Sequence, residues 1–274
     1  MKILILDPEI KVSHRISKDT SGGYGTGNDF GDTMVPKLLK KTLKIVHDWP
    51  AMFAIYSMSV LKKNGHEVDY KKKIPENYKS YDLFIVVSSI VCCETECNYI
   101  RKISDSEKKI YVIGPFATSN PKKYIEAGGA VIMGEPEFFF LKNKNLENIE
   151  EKNILNFEHN FKLDDLPYPD WENTIKNNKT SMLFGFEKSL PILATRGCPY
   201  SCFKYCVYPL QQGRKPRQRE VSKIVDEMEY WNKKLHVRMF IFRDPVFSIN
   251  RKHTIAFCKE LMDRKLNVRF IIET

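Results

Sequence analysis

Tyr81-Asp82-Leu83-Phe84-Ile85-Val86-Val87-Ser88 decides the fold: it reads as a strand, and the segments around it alternate in type. Downstream, residues 94–103 read as a helix, 109–114 as a strand, 121–127 as a helix and 130–133 as the last strand of the series. Upstream, residues 66–70 and Lys2–Leu6 read as strands. Between them Met52, Phe53, Ile55, Tyr56, Met58, Val60 and Leu61 recur at helical spacing, and Gly65 supplies the stop. Strands alternating with helices at this spacing predict an α/β fold with an open, parallel, doubly wound sheet.

In such sheets ligands sit beyond the carboxyl ends of the strands, at a switch point. The strand-end residues are Asp7, then Ser88 and Ser89, then Gly114 to Thr118, then Gly134-Glu135-Pro136-Glu137. Small residues and hydroxyls there allow close approach of a bulky ligand and offer hydrogen bonds. Taken singly, they are ordinary turn and cap residues. Residues 7–32 read as a long polar loop with Gly22, Gly23, Gly25, Gly27 and Gly31. No Gly-Lys-Ser/Thr follows its Tyr-Gly-Thr-Gly, so it is read as a loop able to approach a ligand and not as a phosphate loop. Cys92, Cys93 and Cys97 have no second pair beside them and read as buried apolar residues.

The 274 residues, 42% apolar, are enough for two ordinary domains. No secretory signal and no run of 18 apolar residues is visible, so a soluble, cytoplasmic protein without a membrane span is expected. The net charge of +10 comes from scattered lysines, and nucleic acid is not expected as a partner. Residues 211–219 form a local basic cluster, read as a site for an anionic group or as a solvated connector. Residues 141–190 change character, and the two prolines of Leu166-Pro167-Tyr168-Pro169 disfavour helix. The expected division is a first domain over 1–145, a linker over 146–190 and a second unit over 191–274.

The second unit reads as strand 191–195, helix 222–231 capped by Ser222, strand 237–242, helix 253–264 and strand 267–272. This is the start of a (β/α) barrel, in which chemistry sits at the carboxyl ends of the strands. Asp244 and Glu273 occupy that end. So does Thr195-Arg196-Gly197-Cys198-Pro199-Tyr200-Ser201-Cys202-Phe203-Lys204-Tyr205-Cys206, with three of the seven cysteines in nine residues. Closely spaced thiols in a reducing compartment read as metal ligands. Three are one short of the four that close a zinc or iron–sulfur site, which leaves a position for a substrate.

Arg-Gly-Cys-Pro-Tyr-x-Cys, with a third cysteine preceded by an aromatic residue, resembles the radical S-adenosylmethionine superfamily. The resemblance implies that Cys198, Cys202 and Cys206 bind a [4Fe-4S] cluster whose fourth iron takes S-adenosylmethionine. It places Tyr205 near the adenine and Asp244 and Glu273 near the amino group or ribose. The family's usual spacing is three residues and then two; here three separate Cys202 from Cys206, so one residue must bulge out.

Residues 1–145 resemble the cobalamin-binding domain that precedes many radical enzymes. Lys63-Asn64-Gly65-His66-Glu67-Val68, Gly114-Pro115-Phe116-Ala117-Thr118 and Gly134-Glu135-Pro136-Glu137 carry that resemblance. It implies Ser88, Ser89, Gly114, Gly134 and Glu135 as cofactor contacts. Asp7-Pro8-Glu9 lacks the histidine of the Asp-x-His-x-x-Gly segment, so no lower histidine ligand to cobalt is expected. The whole then resembles a cobalamin-dependent radical enzyme, methyltransferase-like or anaerobic cyclase-like. That implies a small-molecule substrate and an electron donor such as flavodoxin or ferredoxin.

Residues 191–274 hold three barrel strands, where a partial barrel of roughly six strand–helix units needs about 30 residues for each. A C-terminally truncated chain, or a partner chain completing the barrel, is expected. The alternative is a truncated, non-catalytic module that binds cobalamin or a cluster. RNA methylthiolation rests on charge alone.

Overall fold

The computed structural model describes residues 1–10, 14–18, 25–46, 49–149, 152–156, 161–174, 188–202 and 206–274. The chain begins with β1 (Lys2–Leu6), a hairpin of β2 (His14–Ser17) and β3 (Thr26–Asp29), and helices α1 (Met34–Val46) and α2 (Met52–Lys63). Then come β4 (Glu67–Lys71), β5 (Leu83–Val87), α3 (Cys93–Ser104), β6 (Lys109–Ile113), α4 (Pro115–Ser119) and α5 (Pro121–Glu126). The first sheet ends with β7 (Ala130–Ile132), α6 (Pro136–Lys142) and β8 (Ile154–Leu155). Its strands are parallel in the order β4-β1-β5-β6-β7-β8, so the order reverses between β1 and β5.

Side chains alternate across this sheet, as the two-residue period of a strand requires. Ile3, Ile5, Leu83 and Ile85 enter one core with α2, while Leu4, Leu6, Phe84 and Val86 enter the other with Cys93, Cys97, Ile100 and Ile103 of α3. The expected role of Cys93 and Cys97 as apolar packing thus holds. Every residue of α2 from Met52 to Leu61 is buried, which fits a helix enclosed on all sides. Its two serines bond within the helix: Ser57 Oγ donates to Phe53 O (2.6 Å) and Ser59 Oγ to Ile55 O (2.9 Å).

After α7 (Trp171–Thr174) the chain forms β9 (Ser189–Ile192), β10 (Thr195–Arg196), α8 (Tyr208–Gln212), β11 (Arg217–Gln218) and α9 (Val221–Leu235). It closes with β12 (Met239–Phe242), α10 (Arg251–Asp263) and β13 (Arg269–Ile271). β9, β12 and β13 form a parallel three-stranded sheet in the order β13-β12-β9, as the barrel reading anticipates. Leu190, Ile192, Phe240, Phe242 and Trp231 belong to the same apolar core as α2, so one core runs from the first sheet to the second. Asp170 reinforces this contact: its N–H donates to Ser59 Oγ (2.8 Å) and its carboxylate pairs with Lys62 (2.6 Å).

Four details differ from the sequence expectation. β8 adds a sixth strand from the stretch read as linker. The polar loop over 7–32 contains the β2–β3 hairpin, and α1 follows it. α9 begins at Val221, so Ser222 lies inside its first turn and does not cap it. No helix among the described residues is long and apolar enough to cross a membrane.

Candidate functional site

The cysteine loop is anchored at its base by backbone geometry. Gly197 has a φ of +85°, and a Cβ there would stand 2.4 Å from the Lys215 carbonyl oxygen, so only glycine fits. The Gly197 N–H donates to Gln212 Oε1 (3.1 Å) and the Cys198 N–H to Gly213 O (3.1 Å). β10 and β11 pair antiparallel, with Thr195 opposite Gln218 and Arg196 opposite Arg217. The loop therefore leaves the end of β9 and folds back on itself.

Cys198 is buried, Cys202 and Cys206 are half-buried, and all three are free thiols. In kind and number this donor set fits a thiolate-held cluster with one open position. Among the described residues, no three Cys, His, Asp or Glu side chains are gathered closely enough to hold a metal ion. Tyr205 lies outside the described residues.

Beneath the loop sits a buried charge cluster that joins the two sheets. The Arg196 guanidinium, 3% exposed, donates through Nη1 to Glu135 Oε1 (2.7 Å) and pairs with Glu137. Arg217 Nη2 reaches Glu135 Oε2 (2.6 Å) and Gln212 O (2.9 Å). Arg196 also lies over the rings of Tyr56 (5.5 Å) and Phe138 (5.8 Å). Burial pushes the Glu137 carboxyl up, Arg196 pulls it back, and Glu135 adds to the rise; the net shift is upward. Burial alone would weaken the Arg196 cation, but the two carboxylates more than offset it. Glu135, Glu137, Arg196, Gln211, Gln212 and Arg243 line a small cavity of about 30 Å³ here.

Asp244, expected near a cofactor, lies fully buried beyond β12. Its Oδ1 accepts the N–H groups of Ala194 (2.8 Å) and Thr195 (3.0 Å), while Oδ2 has no hydrogen-bond partner among the described residues. Burial, partly countered by those two N–H groups, raises its carboxyl to about 7. Glu273 stands just beyond β13; its backbone carbonyl accepts the Phe247 N–H (2.9 Å) and its side chain is exposed.

The strand ends of the first sheet are stitched to one another. Ser88 Oγ accepts the Ala117 N–H (3.1 Å), and Thr118 Oγ1 accepts the Gly134 N–H (3.1 Å). A Cβ on Gly114 would come within 2.8 Å of both Phe53 and Ser88 Oγ. Ser89 donates its N–H (3.1 Å) and hydroxyl (2.9 Å) to Glu96.

The crevice between β1 and β5 is filled by the β2–β3 hairpin. Lys18 Nζ, in a residue 4% exposed, reaches Val87 O (2.7 Å), Glu96 Oε1 (2.7 Å) and Asp7 Oδ1 (3.0 Å). Gly25 lies so close that a Cβ would meet that of Ser89 at 3.2 Å. Burial would lower the Lys18 ammonium, but Glu96 and Asp7 more than offset it and hold it above its ordinary range. Lys18→Met, which leaves Glu96 and Asp7 without their cation, is expected to cost about 3 kcal/mol in urea denaturation; a loss under about 1 kcal/mol would show that the hairpin is not locked by this cluster.

Two arginines of the basic cluster over 211–219, Arg217 and Arg219, are spent inside the fold, while Arg214 and Lys215 are exposed. Besides Arg217, Arg219 pairs with Glu227 (2.5 Å) and Asp164 (3.4 Å), and Arg214 caps Tyr200 O (3.4 Å). Sequence reading missed Arg196, Glu137, Lys18 and Glu96 as partners.

The chain has a mixed α/β fold with a six-stranded parallel sheet. The chain superposes on TsrM from Kitasatospora setae with a TM-score of 0.61 at 14% identity, over 99% of this chain and 54% of that one. TsrM has been solved with cobalamin and a [4Fe-4S] cluster, and with tryptophan substrate and an S-adenosylmethionine analogue. An uncharacterised methyltransferase of Synechocystis is 27% identical over 182 residues, 66% of this chain and 32% of that protein. The anaerobic magnesium-protoporphyrin IX monomethyl ester cyclase of Rubrivivax gelatinosus is 40% identical over 79 residues, 29% of this chain and 14% of the cyclase. No protein-family model matches. The chain spans about half the length of TsrM and a third or less of the length of these two relatives.

Proposed function

We propose that this chain carries the cluster-binding part of a cobalamin-dependent radical S-adenosylmethionine enzyme acting on a small molecule, with methyl transfer as the favoured reaction. The observation that carries this reading is the setting of the three free thiols. They occupy one glycine-anchored loop at the carboxyl end of a parallel strand, in a chain that shares the TsrM fold. Cys198, Cys202 and Cys206 would hold the [4Fe-4S] cluster, and residues 1–145 would form the cobalamin unit. When bound, the cluster supplies the electron that cleaves S-adenosylmethionine to a 5′-deoxyadenosyl radical.

The chain's own residues fix the frame for that chemistry. Gln212 and Gly213 hold the backbone of Gly197 and Cys198, Asp244 holds the preceding strand exit, and Arg196 ties the loop to the first sheet. The buried Cys198 and the closed base exclude water from one side of the loop.

Anaerobic reconstitution with iron and sulfide tests the reading. Wild type should gain the broad visible absorbance of a thiolate-held cluster and, once reduced with S-adenosylmethionine present, release 5′-deoxyadenosine. Cys202→Ala should lose both. A full cluster in Cys202→Ala contradicts the ligand assignment, and a cluster without 5′-deoxyadenosine points to a binding module. Hydroxocobalamin that fails to co-elute with the chain removes the cobalamin part alone.

A further inference from the structure

Helix α1 is mounted with its apolar side outward. Met34, Val35, Leu38 and Leu39 are 83, 71, 64 and 48% exposed, whereas Lys40 of the same helix is 5% exposed. At 3.6 residues per turn these four apolar residues share an arc of roughly 140°, and Lys40 points away from its centre. A helix on the surface of a globular protein normally does the reverse, and a contiguous exposed apolar face marks an interaction site.

Charge decides what covers this face. Lys37 and Lys41 are exposed and flank its Met34 edge, and α1 carries no acidic residue; the nearest carboxylate upstream in sequence is Asp32. A second copy packed face to face would bring the lysines of both helices to one rim with no carboxylate in either helix to answer them. A bilayer with anionic headgroups accepts both features at once: apolar side chains enter the headgroup boundary while the lysines meet phosphates. We propose that α1 docks this chain on an anionic lipid surface.

Flotation of the full chain with vesicles tests this. It should float with phosphatidylcholine vesicles containing phosphatidylglycerol, not with phosphatidylcholine alone, and high salt should release it. Leu38→Asp with Leu39→Asp should abolish flotation, and Lys37→Glu with Lys41→Glu should weaken it roughly tenfold or more. All four positions are exposed, so unchanged thermal melting is expected to show that the variants fold. Absence of flotation, equal flotation with neutral vesicles, or retention in the double aspartate variant would overturn the proposal. So would a concentration-dependent dimer, seen by sedimentation velocity, that the aspartates dissolve.

Discussion

Arg196→Met is expected to cost about 5 kcal/mol of folding stability, the upper end of what removing one partner from a buried ion pair costs. The methionine fills the volume over Tyr56 and Phe138 but leaves two carboxylates, 1% and 0% exposed at their side chains, without their shared cation. Arg217 answers Glu135 from its other oxygen, and Glu137 has no second cation among the described residues. The penalty should therefore concentrate on Glu137. Adding Glu137→Gln to Arg196→Met should recover a good part of the loss, because the residues are in contact and non-additive. Glu137→Gln alone should cost less than Arg196→Met, since Glu135 still answers the Arg196 guanidinium. Urea denaturation of the four proteins completes the cycle. If Arg196→Met loses less than about 1 kcal/mol, the cluster is not the joint between the sheets that its geometry describes.

The same variant reports on the cysteine loop, because Gly197 and Cys198 directly follow Arg196. Arg196→Met should lower the iron bound per chain after reconstitution even where the protein stays folded at low temperature. Arg196→Lys keeps the charge but not the fork that spans two carboxylates, and should fall between.

How much of this was legible in the sequence depends on the range of the interaction. β5 and β6 could be read because five consecutive residues in the first and four in the second are apolar, and burial on both faces demands that. β8 could not, since Ile154 and Leu155 alone carry it between polar neighbours. The β2–β3 hairpin was hidden for another reason: its contacts with Ser89 and Val91 run through Gly25 and Gly27, which have no side chains to form a pattern. The outward apolar face of α1 is a property of orientation, which sequence periodicity does not contain. At the site, the spacing of the thiols was visible, as was the placement of Asp244 at a strand end. The pairing of Arg196 with Glu135 spans 61 positions and leaves no local trace. Residues 211–219 show the converse, a conspicuous charge cluster whose partners were invisible until folded.

Asp244→Asn is expected to change how stability depends on pH, with an effect on the order of 4 kcal/mol between about pH 4 and 7. The folded carboxyl is raised from 3.8 to about 7, so folding favours the protonated form. A raised carboxyl gives its stabilising contribution below the unfolded value; that contribution is lost as pH climbs towards the folded value, then stays constant. Wild type should therefore lose stability relative to Asp244→Asn across this window, while the difference levels off above it. Asparagine retains an Oδ1 able to accept the Ala194 and Thr195 N–H groups, so the exit of β9 towards the cysteine loop keeps its geometry. Its new amide N–H group takes the place of Oδ2, which has no hydrogen-bond partner among the described residues, and adds a pH-independent cost of about 1–3 kcal/mol. The slope of the difference is thus the measurement, and its offset is not. Asp244→Ala separates the two roles: it removes the titration but also orphans two buried N–H groups, at about 1–3 kcal/mol for each. It should be less stable than Asp244→Asn at every pH. Parallel stability curves for wild type and Asp244→Asn from pH 4 to 8 would mean that Asp244 stays ionised throughout, held by Arg196 and Arg219 more strongly than burial opposes it.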